Sequence, residues 1–222
     1  MEDQNKINQL KSRFGLAQII FIALMAALNF VLDIVVSPGL KAVFTHVIAG
    51  IFLMVPINFL FLSLTKSMVR QFGTLTLYLT VFATMSIPTT MFGAPGVYKI
   101  LVGLAIGLCL DIVFLPKKPV LFIAIGGIGG AIAWWFATYS VWQAFGFPFV
   151  KAFSLLLKTD PINLSGIVNL PITGFGVDFV IFTLLCGLMS AGPVLVAVVA
   201  GYGIFKQIEK TALYQRFNVS VR

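Results

Sequence analysis

The chain has 222 residues, 59% hydrophobic and 10% charged, with a mean hydropathy of +1.05. Soluble domains carry about 25% charged residues, so a water-covered enzyme or nucleic-acid binder is excluded, and the length allows at most about seven or eight membrane crossings. The net charge of +8 arises from 15 Lys+Arg against 7 Asp+Glu, most of the basic residues flanking apolar runs, so it marks topology rather than a polyanion site.

In chain order, apolar runs predict helices over residues 16–36, 46–65, 74–92, 97–115, 120–142 and 177–205, each near spanning length. The first run follows a polar stretch, is too long for a signal-peptide core and ends in Asp33 and Pro38 rather than at a small-residue cleavage site, so it is expected to remain as a membrane helix. The punctuation between runs is Ser37-Pro38-Gly39, Lys66 to Gly73, Gly93-Ala94-Pro95-Gly96 and Pro116-Lys117-Lys118-Pro119. Residues 143–176, interrupted by Pro148, Pro161 and Pro171, are too long for a tight turn and too broken for a span; a structured extracellular cap is expected there. The reading is one all-α integral membrane domain over residues 1–222, a six-transmembrane-helix bundle in a prokaryotic plasma membrane.

Orientation follows from the basic residues. With the N-terminus inside, Lys6, Lys11, Arg13, Lys66, Arg70, Lys117, Lys118, Lys206, Lys210, Arg216 and Arg222 are cytoplasmic, leaving Lys41, Lys99, Lys151 and Lys158 outside. That distribution predicts both ends in the cytoplasm. Asp33, Lys41, His46, Lys99 and Asp178 then fall near outer helix ends and Asp111 alone near the inner face. Charge in hydrocarbon is costly, so such residues face a cavity or a partner, or reach the headgroups. Lys99 follows Val97-Tyr98 at a helix start, where the helix dipole disfavours a cation; a carboxylate or an anionic ligand is expected to hold it.

All three tryptophans, Trp134, Trp135 and Trp142, lie with Tyr139 in the outer half of the fifth helix. Trp135, Tyr139 and Trp142 share one face, either as an interfacial belt or as a stacking wall for a flat heterocycle. The expected substrate contacts are Lys99, Tyr98, Trp135, Tyr139 and Asp178, with His46 and Asn169 completing the polar fringe. Ala23 and Ala27, Gly103 and Gly107, and Gly126 and Gly130 are small-xxx-small pairs that let helices approach closely. Asn29 and Asn58 are expected to hydrogen-bond across helices, because lipid offers an amide no partner. Cys109 and Cys186 read as packing thiols. No GxxxxGK[ST], HExxH or GxSxG string occurs, and His46 has no second metal ligand at useful spacing, so neither an ATP motor, an enzyme, a metal nor a cofactor is expected.

These features together resemble the substrate-binding (S) component of energy-coupling factor (ECF) transporters. The likeness rests on size, six apolar runs, basic ends, Ala23-Leu24-Met25-Ala26-Ala27 in the first helix, and Val97-Tyr98-Lys99 at a helix entry followed by glycines. The resemblance implies capture of a vitamin or vitamin precursor on the outside, by a subunit that topples in the membrane. It also implies partners, a scaffold membrane subunit and two ATPase subunits, with Ala23 and Ala27 as the docking face. The 143–176 cap departs from the family pattern in length and proline content. A thiamine-related pyrimidine, pyridoxal, a flavin or a pterin would suit the aromatic, Lys and Asp residues alike. A different class, a self-sufficient secondary transporter or channel, would use Asp33, Asp111 and Asp178 as proton or cation sites. A third, an assembly subunit, would bind no ligand.

Overall fold

The computed structural model describes residues 14–43, 50–89, 96–144 and 177–211, and all regular structure among them is helical. Helix α1 (Leu16–Val43) runs through Ser37-Pro38-Gly39, where the sequence suggested a break. A proline removes one backbone bond, and the helix continues past the apolar stretch, which ends at Val36. The next rod opens with a π turn (Gly50–Met54) and continues as α2 (Val55–Met68). Pro56, in the first turn of α2, has no N–H to return to the carbonyl four residues back, and the widened turn falls where that bond is missing.

Gly73 adopts φ 90°, a left-handed conformation open to glycine, and turns the chain into α3 (Thr74–Ser86). α4 (Tyr98–Val113) returns alongside it. Pro119 at the first helical position then starts α5 (Pro119–Ala124), which passes through a second π turn (Ile125–Gly129) into α6 (Gly130–Ala144). The last helix is α7 (Val177–Ile208), with Pro193 inside it.

Three stretches, Leu16–Val36, Pro119–Ala144 and Phe179–Ile208, are long and apolar enough to cross a bilayer, and Phe52–Met68 and Thr74–Ser86 are shorter apolar helices. The surface agrees with this. Ile20, Leu24, Leu28, Val31 and Val35 form an exposed stripe on α1, and Val196 and Val199 on α7 are also exposed. Contiguous apolar surface of this kind suits lipid rather than water. Inside, Phe59, Leu62, Leu75, Leu79, Ile106 and Leu110 are fully buried.

Two glycines explain how closely α3 and α4 pack. A Cβ on Gly103 would stand 2.5 Å from the Leu79 carbonyl oxygen, and one on Gly107 would stand 2.5 Å from the Thr76 Cα. The Gly103 and Gly107 pair therefore serves internal packing. Gly126 and Gly130 likewise face the rings of Phe114 and Phe59 within the bundle.

At one end of this contact lies an ion pair. Lys66 Nζ stands 2.6 Å from Asp111 Oδ1, the Asp111 side chain fully buried and that of Lys66 6% exposed. Asp111 Oδ2 accepts from the Thr76 N–H at 2.9 Å and the Thr76 hydroxyl at 2.8 Å, while Oδ1 also accepts from the Leu75 N–H at 3.3 Å. Lys66 donates in addition to the Gln71 carbonyl at 2.8 Å. Removing one partner strands the other charge, so Asp111→Ala is expected to cost about 3–5 kcal/mol of stability. Lys66→Met with Asp111→Leu should cost less than Asp111→Ala alone. Thermal unfolding of the purified variants checks this; equal melting of wild type and Asp111→Ala would refute the structural role.

Candidate functional site

The side chains expected to form an outer ligand site divide between two helix interfaces. Lys99, in the first turn of α4, is fully buried, and its Nζ donates to the Ser86 carbonyl at 2.8 Å and the Thr89 carbonyl at 2.5 Å. The Ser86 carbonyl is the last of α3 and also accepts from the Thr89 N–H at 3.0 Å, and Thr89 lies in the turn just beyond the helix. A cation at the start of its own helix is thus explained by the end of the neighbouring one, whose dipole favours it. What holds Lys99 is main-chain oxygen. Tyr98 beside it is buried at 9% exposure.

The aromatic face of α6 turns onto α7. Trp135 Nε1 donates to Ser190 Oγ at 2.9 Å, and the Ser190 hydroxyl in turn lies 2.9 Å from the Cys186 carbonyl and 3.1 Å from that of Gly187. Trp135 stacks on Tyr139 with ring centres 5.4 Å apart and planes at 30°, and Tyr139 meets Trp142 edge to face at 5.8 Å. Trp135 and Tyr139 are buried at 9% and 5% exposure, so this pair is part of the bundle's interior rather than a belt at its rim. The indole N–H is satisfied by α7, as a buried tryptophan requires. Asp178 belongs to the first turn of α7, but its side chain lies outside what is described, as do His46 and Asn169 altogether. The convergence of those three on Lys99 therefore falls outside the described residues.

A second polar group sits among α1, α2 and α3. Asn29 Nδ2 donates to Asn58 Oδ1 across the α1 and α2 interface, the contact expected for amides in lipid. Asn58 Nδ2 donates to Asp33 Oδ2 at 3.3 Å and to the Met54 carbonyl at 2.9 Å, and the Tyr78 hydroxyl to the Met25 carbonyl at 3.4 Å. Asn29, Asp33, Asn58 and Tyr78 are all buried, none more than 4% exposed. The sequence placed Asp33 at an outer helix end; extension of α1 to Val43 instead sets it ten residues inside the helix. The spacing of Asn29 and Asp33, one turn apart, was the available signal for this cluster.

At the opposite end, Arg70 and Lys206 both lie over the ring of Phe205, at 5.4 and 5.7 Å from its centre, and Lys206 pairs with Glu209 at 2.7 Å. Ala23 and Ala27 are half-buried at the border of the exposed α1 stripe. Among the described residues no three His, Cys, Asp or Glu side chains gather to hold a metal. Comparison with protein-family models, curated proteins and solved structures gives no match.

The geometry ranks two substitutions in the ligand-free protein. Lys99→Ala loses two charge-assisted hydrogen bonds, each worth about 1.5–3 kcal/mol, whereas Trp135→Phe keeps most of the ring and loses one neutral bond worth about 0.5–1.5 kcal/mol. Lys99→Ala should therefore melt well below Trp135→Phe with no ligand present. The reverse order would show that Lys99 does not support α3.

Proposed function

We propose that the chain is the substrate-capture subunit of an ECF-type importer for a vitamin or vitamin precursor, with six crossings, both ends in the cytoplasm and residues 143–176 outside. ATP hydrolysis comes from partner subunits. The observation that supports this best is the surface of α1, where Ala23 and Ala27 border an exposed apolar stripe running from Ile20 to Val35. Small side chains there leave room for a helix of a scaffold subunit to approach closely. The absence of any phosphate-loop string in the sequence fits a subunit driven by others.

The rival reading, a self-contained transporter working through Asp33, Asp111 and Asp178, is weakened by separation. Asp33 is bonded to Asn58 and Asp111 to Lys66, eight residues further along α2, which is about 12 Å along a helix axis. Asp111 is also fixed by three donors of α3. A proton or ion has no short step between the two.

The orientation is tested by cysteine labelling. Ser154→Cys should react with an impermeant thiol reagent from outside, and Lys118→Cys, at an exposed position, only after permeabilisation. Docking is tested separately: Ala23→Leu and Ala27→Leu should keep ligand binding while abolishing ATP-dependent uptake with the partner subunits. Full uptake by both variants would remove α1 as the docking face. Saturable binding without accumulation by the chain alone would separate a capture subunit from a self-sufficient transporter.

A further inference from the structure

Two apolar stretches, Phe52–Met68 and Phe179–Ile208, end at one level of the bundle, because Arg70, two residues beyond the first, lies 5.4 Å from the centre of the Phe205 ring near the end of the second. Lys206 lies over the same ring at 5.7 Å and over that of Tyr202 at 5.8 Å. Phe205 is fully buried, whereas Arg70 and Lys206 are exposed. Each cation lays its stem over the apolar end of the bundle and keeps its charge where hydrocarbon gives way to headgroups.

The charges gathered there are not balanced. Glu209 pairs with Lys206 at 2.7 Å, and among the described residues no carboxylate answers Arg70. Arg70 Nε reaches the Ser67 carbonyl at 3.4 Å, a long contact, and its two terminal amino groups meet no acceptor among the described residues. A guanidinium presents its N–H donors in a flat fork that fits two oxygens of a phosphate at once. Two cations from separate elements, the turn before α3 and the last turns of α7, are thus held against one ring with repulsion between them. An anion shared by them would turn that repulsion into attraction.

We propose that Arg70 and Lys206 form a headgroup site for an anionic phospholipid, the phosphate taken by the Arg70 fork with the Lys206 ammonium as the second charge. The apolar surroundings select a lipid over free phosphate. Val196, Val199, Gly203 and Lys206 follow helical spacing on one face of α7. Val196 and Val199 are exposed, and a Cβ on Gly203 would meet nothing within 4 Å, so an open apolar strip leads up to the lysine. Beside Arg70, Phe72 is exposed as well. An acyl chain fits along such a strip while its phosphate stays at the level of Phe205, and a free phosphate gains nothing from it. The bound lipid would tie α7 to the turn between α2 and α3. This inference requires that the chain spans a bilayer, holds for either orientation, and does not depend on the importer reading.

The full chain in detergent is followed by native mass spectrometry while phosphatidylglycerol or phosphatidylcholine with the same acyl chains is added. One phosphatidylglycerol should be retained in preference to phosphatidylcholine. Arg70→Gln and Lys206→Gln should each weaken its retention about fivefold, the contribution of one cation near a membrane surface. Lys117 and Lys118 are exposed just before α5, whose Phe122 ring meets that of Tyr202 at 5.9 Å, so they belong to the same end of the bundle. Changing both to Gln removes as much charge as the Arg70→Gln, Lys206→Gln pair but should leave retention as in wild type. Arg70→Lys keeps the charge without the fork and should also weaken retention; it serves in place of Arg70→Gln should that variant fail to fold. Phosphatidylglycerol should raise the melting temperature of wild type more than that of the Arg70 variant, and an excess of inorganic phosphate should neither do so nor displace the lipid. Equal retention of the two lipids, equal weakening by the two double variants, wild-type binding by Arg70→Lys, or displacement by inorganic phosphate overturns the proposal.

Discussion

Lys99 and Asp111 stand twelve residues apart on α4, about 18 Å along its axis. The helix they flank, α3, has 13 residues, about 20 Å, against a hydrocarbon core of about 30 Å. A helix this short cannot carry both of its ends out to water, yet each end leaves four backbone groups without a partner in the helix. The antiparallel neighbour supplies some of them and the adjoining turns others. Asp111 accepts from the first turn of α3 and Lys99 donates to carbonyls at its end. The signs also match the dipole of α3, negative at its start and positive at its end.

Much of the bundle follows from that arrangement. The two caps can reach α3 only if α4 lies close to it, which is why Gly103 and Gly107 sit between them on α4 without side chains. Burying the Asp111 charge calls for a counter-ion, and Lys66 brings α2 into the same junction while its second bond to Gln71 holds the turn that leads into α3. Thr74 tightens that turn from the other side, its hydroxyl lying 2.9 Å from the Val69 and Gln71 carbonyls. Three helices and the connection between two of them are thereby fixed by one carboxylate. The C-terminal end of α3 is held in the same way by one ammonium.

The class of fold was legible because it follows from bulk composition: 10% charge cannot cover a water-facing surface. Local chemistry also marked the segments ending at Pro119 and at Gly73 as breaks between helices, since fixed φ and missing N–H groups act within a few residues. Ser37-Pro38-Gly39 misled because a proline removes only one helical hydrogen bond, and α1 continues through it past the apolar stretch that ends at Val36. The two π turns, at Gly50–Met54 and Ile125–Gly129, leave no periodic trace. Lys66 and Asp111 were each visible, one as an inside-positive residue and the other as an isolated inner acid. Their pairing depends on which helices are neighbours, and a hydropathy pattern does not contain that. Lys99 illustrates the same gap, because its unfavourable position on α4 makes sense only once α3 is beside it.

The fate of Lys99 bears on the chemistry of any ligand. A lysine whose ammonium already meets two carbonyls has less to offer an anion than a lysine facing an open pocket. Drawing it away would expose the end of α3, so the binding of a carboxylate or phosphate at Lys99 would be opposed by the loss of both bonds. Within the described residues, the buried ammonium groups of Lys66 and Lys99 are therefore committed to the scaffold.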